Sequence, residues 1–275
     1  MPPPAVSGYR PGVRLILILV GALWGASSGL LLPRAAHRLS VDPEEPWNGE
    51  CPDGHPITGP LDGWLGRASC TNTTTIDTTS GAYGNQRPTT PCGSYGPRTP
   101  AVSAATALVC AALAAATGPR PELVVWLLAT PVAVLLALVD LRVHRLPDVL
   151  TLPLAAATLA LLGIAAALPA DAGSWPTALF GGLALGTGYL VLYLINPAGM
   201  GLGDVKLALG LGTALGWYGW PVLVTGAFAG VLYGAVYGLG MVALRRASRK
   251  TAIPLGPFML GGAFTGVVLG AFAVA

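Results

Sequence analysis

The chain has 275 residues, of which 53% are hydrophobic and 10% charged, with a formal net charge of +3. A soluble domain is about one quarter charged, so an ordinary soluble core is excluded. So small a net charge also gives no footing for nucleic-acid binding. The apolar residues come in long blocks, and a hydrocarbon core about 30 Å thick needs about 20 of them per helix. The sequence therefore predicts an all-α polytopic membrane protein whose main partner is the lipid bilayer.

The first block, 13–33 (VRLILILVGALWGASSGLLLP), follows Arg10 and contains Arg14. A secretory signal is one reading of such a segment. Its near-full span length and the lack of a clear small-x-small cleavage site favour a retained helix. Residues 1–33 are thus a tail and one span. Residues 34–100 are polar, rich in Gly, Pro, Thr and Asn, and hold three of the four cysteines. Residues 101–275 form a bundle of spans, expected at 101–117, 122–139, 149–168, 176–195, 205–217, 221–244 and 254–274. With the first, that makes about eight, of which 205–217 is short and Gly-rich. Gly-Pro-Arg-Pro at 118–121 and polar breaks at 142–148, 169–175, 196–204, 217–220 and 245–253 separate them.

Basic residues set the orientation. With the N-terminus outside, the segments 34–100, 141–148, 196–206 and 245–253 face the cytoplasm and hold twelve of the fifteen Lys and Arg. Only Arg10, Arg14 and Arg120 fall outside. Cytoplasmic loops carry the positive excess, so the expectation is a multi-pass protein of the cytoplasmic membrane. In the seventh span Gly226, Gly230, Gly234 and Gly238 recur every four residues on one helix face, a pattern for close helix packing.

After Glu122 the bundle has four carboxylates, Asp140, Asp148, Asp171 and Asp204. Asp171 is placed in a short outer loop. The others lie at cytoplasmic ends of spans, where a carboxylate is costly and therefore a functional hypothesis. Asp140 ends the third span and Asp204 opens the sixth, on one membrane face. Two close carboxyls in a low-dielectric site do not both ionise readily, so one serves as general base toward water and the other as general acid toward the leaving amine. Such hydrolysis needs no metal and no cofactor. Gly201 and Gly203, with Gly199 before them, are expected to give unusual backbone conformations and to let a substrate strand approach the main chain. The run does not have the spacing of a nucleotide-binding loop.

Gly201-Leu202-Gly203-Asp204 is the G-x-G-D signature of intramembrane aspartyl proteases. Its continuation GDVKLALGLG, Asp140 with Leu146-Pro147-Asp148 and Leu150-Thr151-Leu152-Pro153, and the late Ile253-Pro254-Leu255-Gly256-Pro257-Phe258 together resemble the type IV prepilin peptidases over roughly 98–275. The resemblance implies an aspartic endopeptidase with Asp140 and Asp204 as its pair. It also implies cleavage of a short basic leader from prepilin or pseudopilin substrates at the cytoplasmic face. Asp148 matches a recurrent family position and reads as a helix-start residue, with substrate binding as the second reading. Lys206 either offsets the charge of Asp204 or is a basic residue at a cytoplasmic helix end. His144 reads as a loop residue.

Many members of that family carry two C-x-x-C pairs after the first span, linked to zinc and to methylation of the new N-terminus. Here Cys51-Pro52-Asp53-Gly54-His55 resembles the first pair without its second Cys. The run Leu65–Cys70 resembles the approach to the second pair, whose partner Cys92 is displaced by an insertion. Cys51, His55, Cys70 and Cys92 make a candidate zinc set. Unligated thiols and a disulfide are the other readings, the disulfide being disfavoured in a reducing cytosol. The family's acidic residue after the second pair has no counterpart, so methyltransferase activity is not expected. Cys110 reads as a packing residue within a span.

Two other functions fit parts of the sequence. Intramembrane aspartates and Gly-broken helices also build ion-coupled transporters, but no internal repeat is evident and the carboxylates sit at one face. A catalytically inactive membrane scaffold would tolerate loss of Asp140.

Overall fold

A computed structural model describes residues 11–42, 45–70, 93–197, 199–245 and 253–274. Cys92, and the basic residues Arg10, Arg87, Arg246, Arg249 and Lys250, lie outside them. The described residues form an all-helical bundle: α1 (Pro11–Leu39), a single turn α2 (Pro60–Gly63), α3 (Thr99–Thr117), α4 (Glu122–Val143), α5 (Asp148–Ala165), α6 (Trp175–Ile195), α7 (Leu202–Gly216), α8 (Trp220–Ala243) and α9 (Gly256–Ala273). Seven of these, all but α2 and α7, are long and apolar enough to cross a membrane. The chain is a multi-pass membrane protein.

The helix limits follow from proline and left-handed residues. Prolines in the first turn start α3, α6, α8 and α9, where a missing N–H has no helical partner to lose. Gly118 at φ +65° ends α3, and Gly219 at φ +100° precedes α8. The expected limit of the first span at Pro33 is too early, because α1 continues to Leu39 with Pro33 inside it. Arg34 and Arg38 are therefore helical residues, carried on the end of α1.

The sixth expected span is α7, at 15 residues. At 1.5 Å per residue it reaches only about 22 Å, short of the roughly 30 Å of a bilayer core. Val205, Leu207, Ala208, Gly210, Gly212, Thr213 and Leu215 are all buried along it. Helices α5, α6 and α9 pack around it, so α7 is a buried central rod and not a lipid-facing span.

In lipid, apolar burial does not by itself drive helices together, and small residues that allow close approach do much of the packing. The glycines expected to pack in α8 behave this way: Gly226 and Gly230 meet the backbone of Gly262 and Phe258 in α9. A second stripe, Gly21, Gly25 and Gly29 of α1, lies on α3 in the same manner. A Cβ on Gly25 would stand 2.5 Å from the Thr106 carbonyl oxygen and 2.8 Å from Ala107 Cα, both backbone atoms that have no room to yield. We expect Gly25→Val to lower stability by about 1–3 kcal/mol, the usual cost of overpacking. Thermal unfolding in detergent checks this, and an unchanged transition would show the α1–α3 seam to be loose.

Candidate active site at one end of the bundle

The C-terminal end of α4 and the N-terminal end of α7 lie at the same end of the bundle. Helix α4 stops because His144 turns left-handed, at φ 52° and ψ 42°, with its N–H on the Asp140 carbonyl at 2.9 Å. The chain then folds back through Leu146, which is buried, into α5. Leu146 rests on Gly203: a Cβ there would be 2.9 Å from Leu146 Cβ and 3.1 Å from its carbonyl oxygen. That contact draws the end of α4 against the start of α7.

Asp140 sits in the last turn of α4 and is 3% exposed. Its Oδ2 accepts a hydrogen bond from the Gly256 N–H at 2.9 Å, at the first residue of α9. Asp204 is the third residue of α7 and is 8% exposed. Its Oδ2 accepts from the Gly201 N–H at 3.1 Å, and its own N–H returns a bond to the Gly201 carbonyl at 3.2 Å. Two N–H groups at helix starts, where the helix itself supplies no acceptor, thus hold the two carboxyls. The Leu146–Gly203 contact brings the two helix ends that carry these carboxyls together. Beneath them lies an apolar layer of Leu136, Leu207, Ala208 and Met259.

The glycines before Asp204 serve differently from the sequence expectation. Gly201 is extended at φ −87°, and neither it nor Gly203 has a positive φ. Gly203 is needed for the approach of Leu146. Gly201 is exposed, and the nearest side-chain atom to a Cβ there would be Asp204 Oδ2, at 3.6 Å. The main chain beside the carboxyl is therefore open on that side.

Lys206 does not pair with Asp204. Its Nζ lies 2.5 Å from Asp148 Oδ2, joining α7 to the first turn of α5. The Asp148 side chain is 61% exposed, and ion pairs in water are worth little. Lys206→Ala is expected to change stability by no more than about 0.5 kcal/mol. Thermal unfolding in detergent checks this, and a larger loss would make the pair a structural tie between α7 and α5.

The motif around Gly256 does not by itself single that residue out. Only the fold shows that its N–H meets Asp140 across 116 positions of sequence. Asp171 and Glu122 belong to the other end of the bundle.

The polar region abuts the same end. Arg34, on α1, donates from Nε to the Arg67 carbonyl at 2.9 Å and from Nη1 to the Thr58 carbonyl at 2.8 Å. Arg38 bonds the Asp62 carbonyl and lies over the Trp64 ring, 4.4 Å from its centroid. Arg142, two residues after Asp140, reaches the Tyr95 carbonyl at 3.4 Å. Within this region Cys51-Pro52-Asp53-Gly54-His55 makes a tight turn. The Gly54 N–H bonds the Cys51 carbonyl, and the Cys51 N–H bonds the His55 carbonyl, each at 2.9 Å; Gly54 has φ +78°. The turn brings Cys51 Sγ to 3.6 Å from His55 Nδ1. Cys70 joins them, with one ligand atom from each residue inside 4.8 Å of the others. Those separations and this donor set suit a metal ion that takes thiolate and imidazole.

Comparison with known proteins finds a family likeness over the segment that carries the carboxyl pair. Residues 127–239, which contain Asp140, Asp148, Gly201, Gly203 and Asp204, match the family model described as the Type IV leader peptidase family. The chain is also similar to curated proteins. One is the prepilin leader peptidase/N-methyltransferase of Aeromonas salmonicida (strain A449), 35% identical over 170 residues, covering 59% of this chain and 55% of the relative. Another is its namesake in Pseudomonas aeruginosa, 36% identical over 172 residues, covering 60% and 56%. A third is that of Pseudomonas putida, 33% identical over 178 residues, covering 63% and 59%. The chain thus spans little more than half the length of the curated relatives it matches. No solved structure matches it.

Proposed function

We propose that the protein is an intramembrane aspartyl endopeptidase that removes the short basic leader from prepilin-like proteins at the cytoplasmic face. The observation that carries this reading is the pair Asp140 and Asp204. They come from different helices, are both buried at one end of the bundle, and each is held by a glycine N–H. The family match and the printed names of the relatives support the substrate class.

The chemistry follows from the geometry. One carboxylate takes a proton from water, which attacks the scissile carbonyl carbon; the other, protonated, first bonds the carbonyl oxygen and then the proton is delivered to the departing amine nitrogen. The first carboxyl is left protonated and the second ionised, so the pair again holds one proton, with the two roles exchanged. The Gly256 and Gly201 N–H groups fix each Oδ2, leaving the Oδ1 atoms for this work. The exposed Gly201 main chain offers an extended substrate strand a place to lie beside Asp204.

The active end is read as cytoplasmic because the polar region and the bundle loops there carry most of the Lys and Arg. That region is read as a small domain that rides on α1 and touches the end of α4. Cys51, His55 and Cys70 would hold a zinc ion in it, as a structural staple outside the hydrolytic step. Purified protein is expected to carry about one zinc per chain by elemental analysis, and Cys51→Ser to carry none while still cleaving leader. Equal zinc in both would remove Cys51 from the set.

The function is tested by incubating purified protein in lipid nanodiscs with a prepilin. Release of the leader supports the reading. An intact prepilin, with the protein folded, favours the transporter or scaffold reading.

A further inference from the structure

At the end of the bundle opposite the aspartates, a buried polar cluster joins the same two helices. Glu122 opens α4 and is 0% exposed. A carboxylate so deeply placed is costly unless it is paired. Its partner is Arg120, whose Nε lies 3.6 Å from Oε1. The guanidinium also closes helix ends: Nε donates to the Thr117 carbonyl at 2.5 Å, and Nη2 to Ala116 at 3.0 Å in α3 and to Ala271 at 2.8 Å in α9. From the α7 side, Trp217 is 1% exposed, and its indole nitrogen, like both Glu122 carboxyl oxygens, is buried with no hydrogen-bond partner among the described residues. The next residue, Tyr218, accepts at its hydroxyl a bond from Trp126 Nε1 of α4 at 3.2 Å.

Helices α4 and α7 do not pack extensively on one another; α5 and α9 lie against both. Each nevertheless carries one aspartate at one end and one half of this cluster at the other. Asp140 and Glu122 are 18 residues apart on α4, about 27 Å along a straight helix. Two rods that touch little along their length owe their mutual tilt to the helices packed against both and to fastenings at their ends. Leu146 on Gly203 fastens the active end. We propose that the Trp126–Tyr218 bond, with Glu122 and Trp217 buried beside it, fastens the other and sets the separation of the Asp140 and Asp204 carboxyls. These are positioning residues, and the assignment rests on Asp140 and Asp204 being the catalytic pair.

The test uses the full chain in nanodiscs, wild type against Glu122→Ala, Glu122→Gln and Tyr218→Phe. Two measurements are made: kcat and KM for leader cleavage, and the distance between nitroxides attached to unnatural amino acids introduced at positions 141 and 202. Leu141 and Leu202, which stand there, are exposed neighbours of the active end. In Glu122→Ala, kcat is expected to fall about tenfold with KM unchanged, since a small displacement of reacting groups is enough for that. The distance distribution is expected to broaden. Glu122→Gln, which keeps the shape of the side chain, recovers part of both. Unchanged kcat and distances overturn the proposal, as does a rise in KM alone. If Glu122→Ala fails to fold, Tyr218→Phe, which loses one hydroxyl, decides by the same criteria. If wild type cleaves no leader, the peptidase reading has failed, and the distances alone judge the cluster.

Discussion

Asp140→Asn and Asp204→Asn are each expected to reduce leader cleavage about a thousandfold or more, with the protein still folded in the membrane. The size follows from the division of labour. On the proposed reading each carboxyl supplies proton transfer, commonly worth about 10²–10⁴-fold, and one of the two also binds the attacking water. An amide has nearly the shape of a carboxyl, so the substituted side chain in either variant keeps the hydrogen bond from Gly256 or Gly201 and leaves packing in place. The amide cannot accept a proton from water. The double variant is expected to be no slower than either single one, because residues acting as one unit are not additive. Cleavage rates on detergent-solubilised protein, with unfolding temperatures alongside, check both statements. A single variant retaining about a tenth of the wild-type rate would remove that aspartate from the chemistry, since proton transfer alone is worth more.

Gly256→Val is expected to lower cleavage by about a hundredfold while leaving substrate binding nearly intact, the effect of a small misplacement of a reacting group. Gly256 packs its backbone directly on Asp140: a Cβ there would stand 2.8 Å from Oδ2 and 3.2 Å from Cγ. Neither the carboxyl nor the end of α4 has free space to withdraw into, since Val139 and Asp140 are both buried. The added methyls push the carboxyl off its N–H and away from Asp204. Gly256→Ala is expected to fall between wild type and valine. Steady-state kinetics on a leader peptide separate the outcomes: loss in kcat supports a displaced carboxyl, whereas loss confined to KM would place Gly256 in substrate binding instead.

Much of this architecture is legible in the sequence because membrane constraints are strong. Long apolar blocks with prolines and glycines between them mark helices, and their scarce carboxylates stand out. Asp140 and Asp204 are visible for that reason, although 64 positions separate them. The Gly226 stripe is legible through its four-residue period. The stripe of Gly21, Gly25 and Gly29 has the same period, but it lies in a segment whose hydropathy dominates any reading of it.

Contacts between distant segments are what the sequence does not disclose. Lys206 stands two residues from Asp204, and proximity in sequence suggests that pair. On a helix, residues two apart do not face each other, and Lys206 reaches Asp148 on α5. The role of Gly256 depends on where α9 begins relative to α4, which no local pattern encodes. The glycines before Asp204 invite an argument from backbone freedom, yet an extended Gly201 needs none. The first helix outruns Pro33 although a proline inside a helix costs about 3 kcal/mol or more, because the arginine contacts beyond it hold the extra turns.

The measurement that bears most directly on the central claim is the intact mass of a prepilin co-expressed with this protein, compared across wild type, Asp140→Asn and Asp204→Asn. The predicted result is a mass lower by that of the leader with wild type and the full precursor mass with either variant, and without an added methyl group. Cleavage that persists in the variants, or an uncut precursor with folded wild type, would contradict the aspartyl-peptidase account.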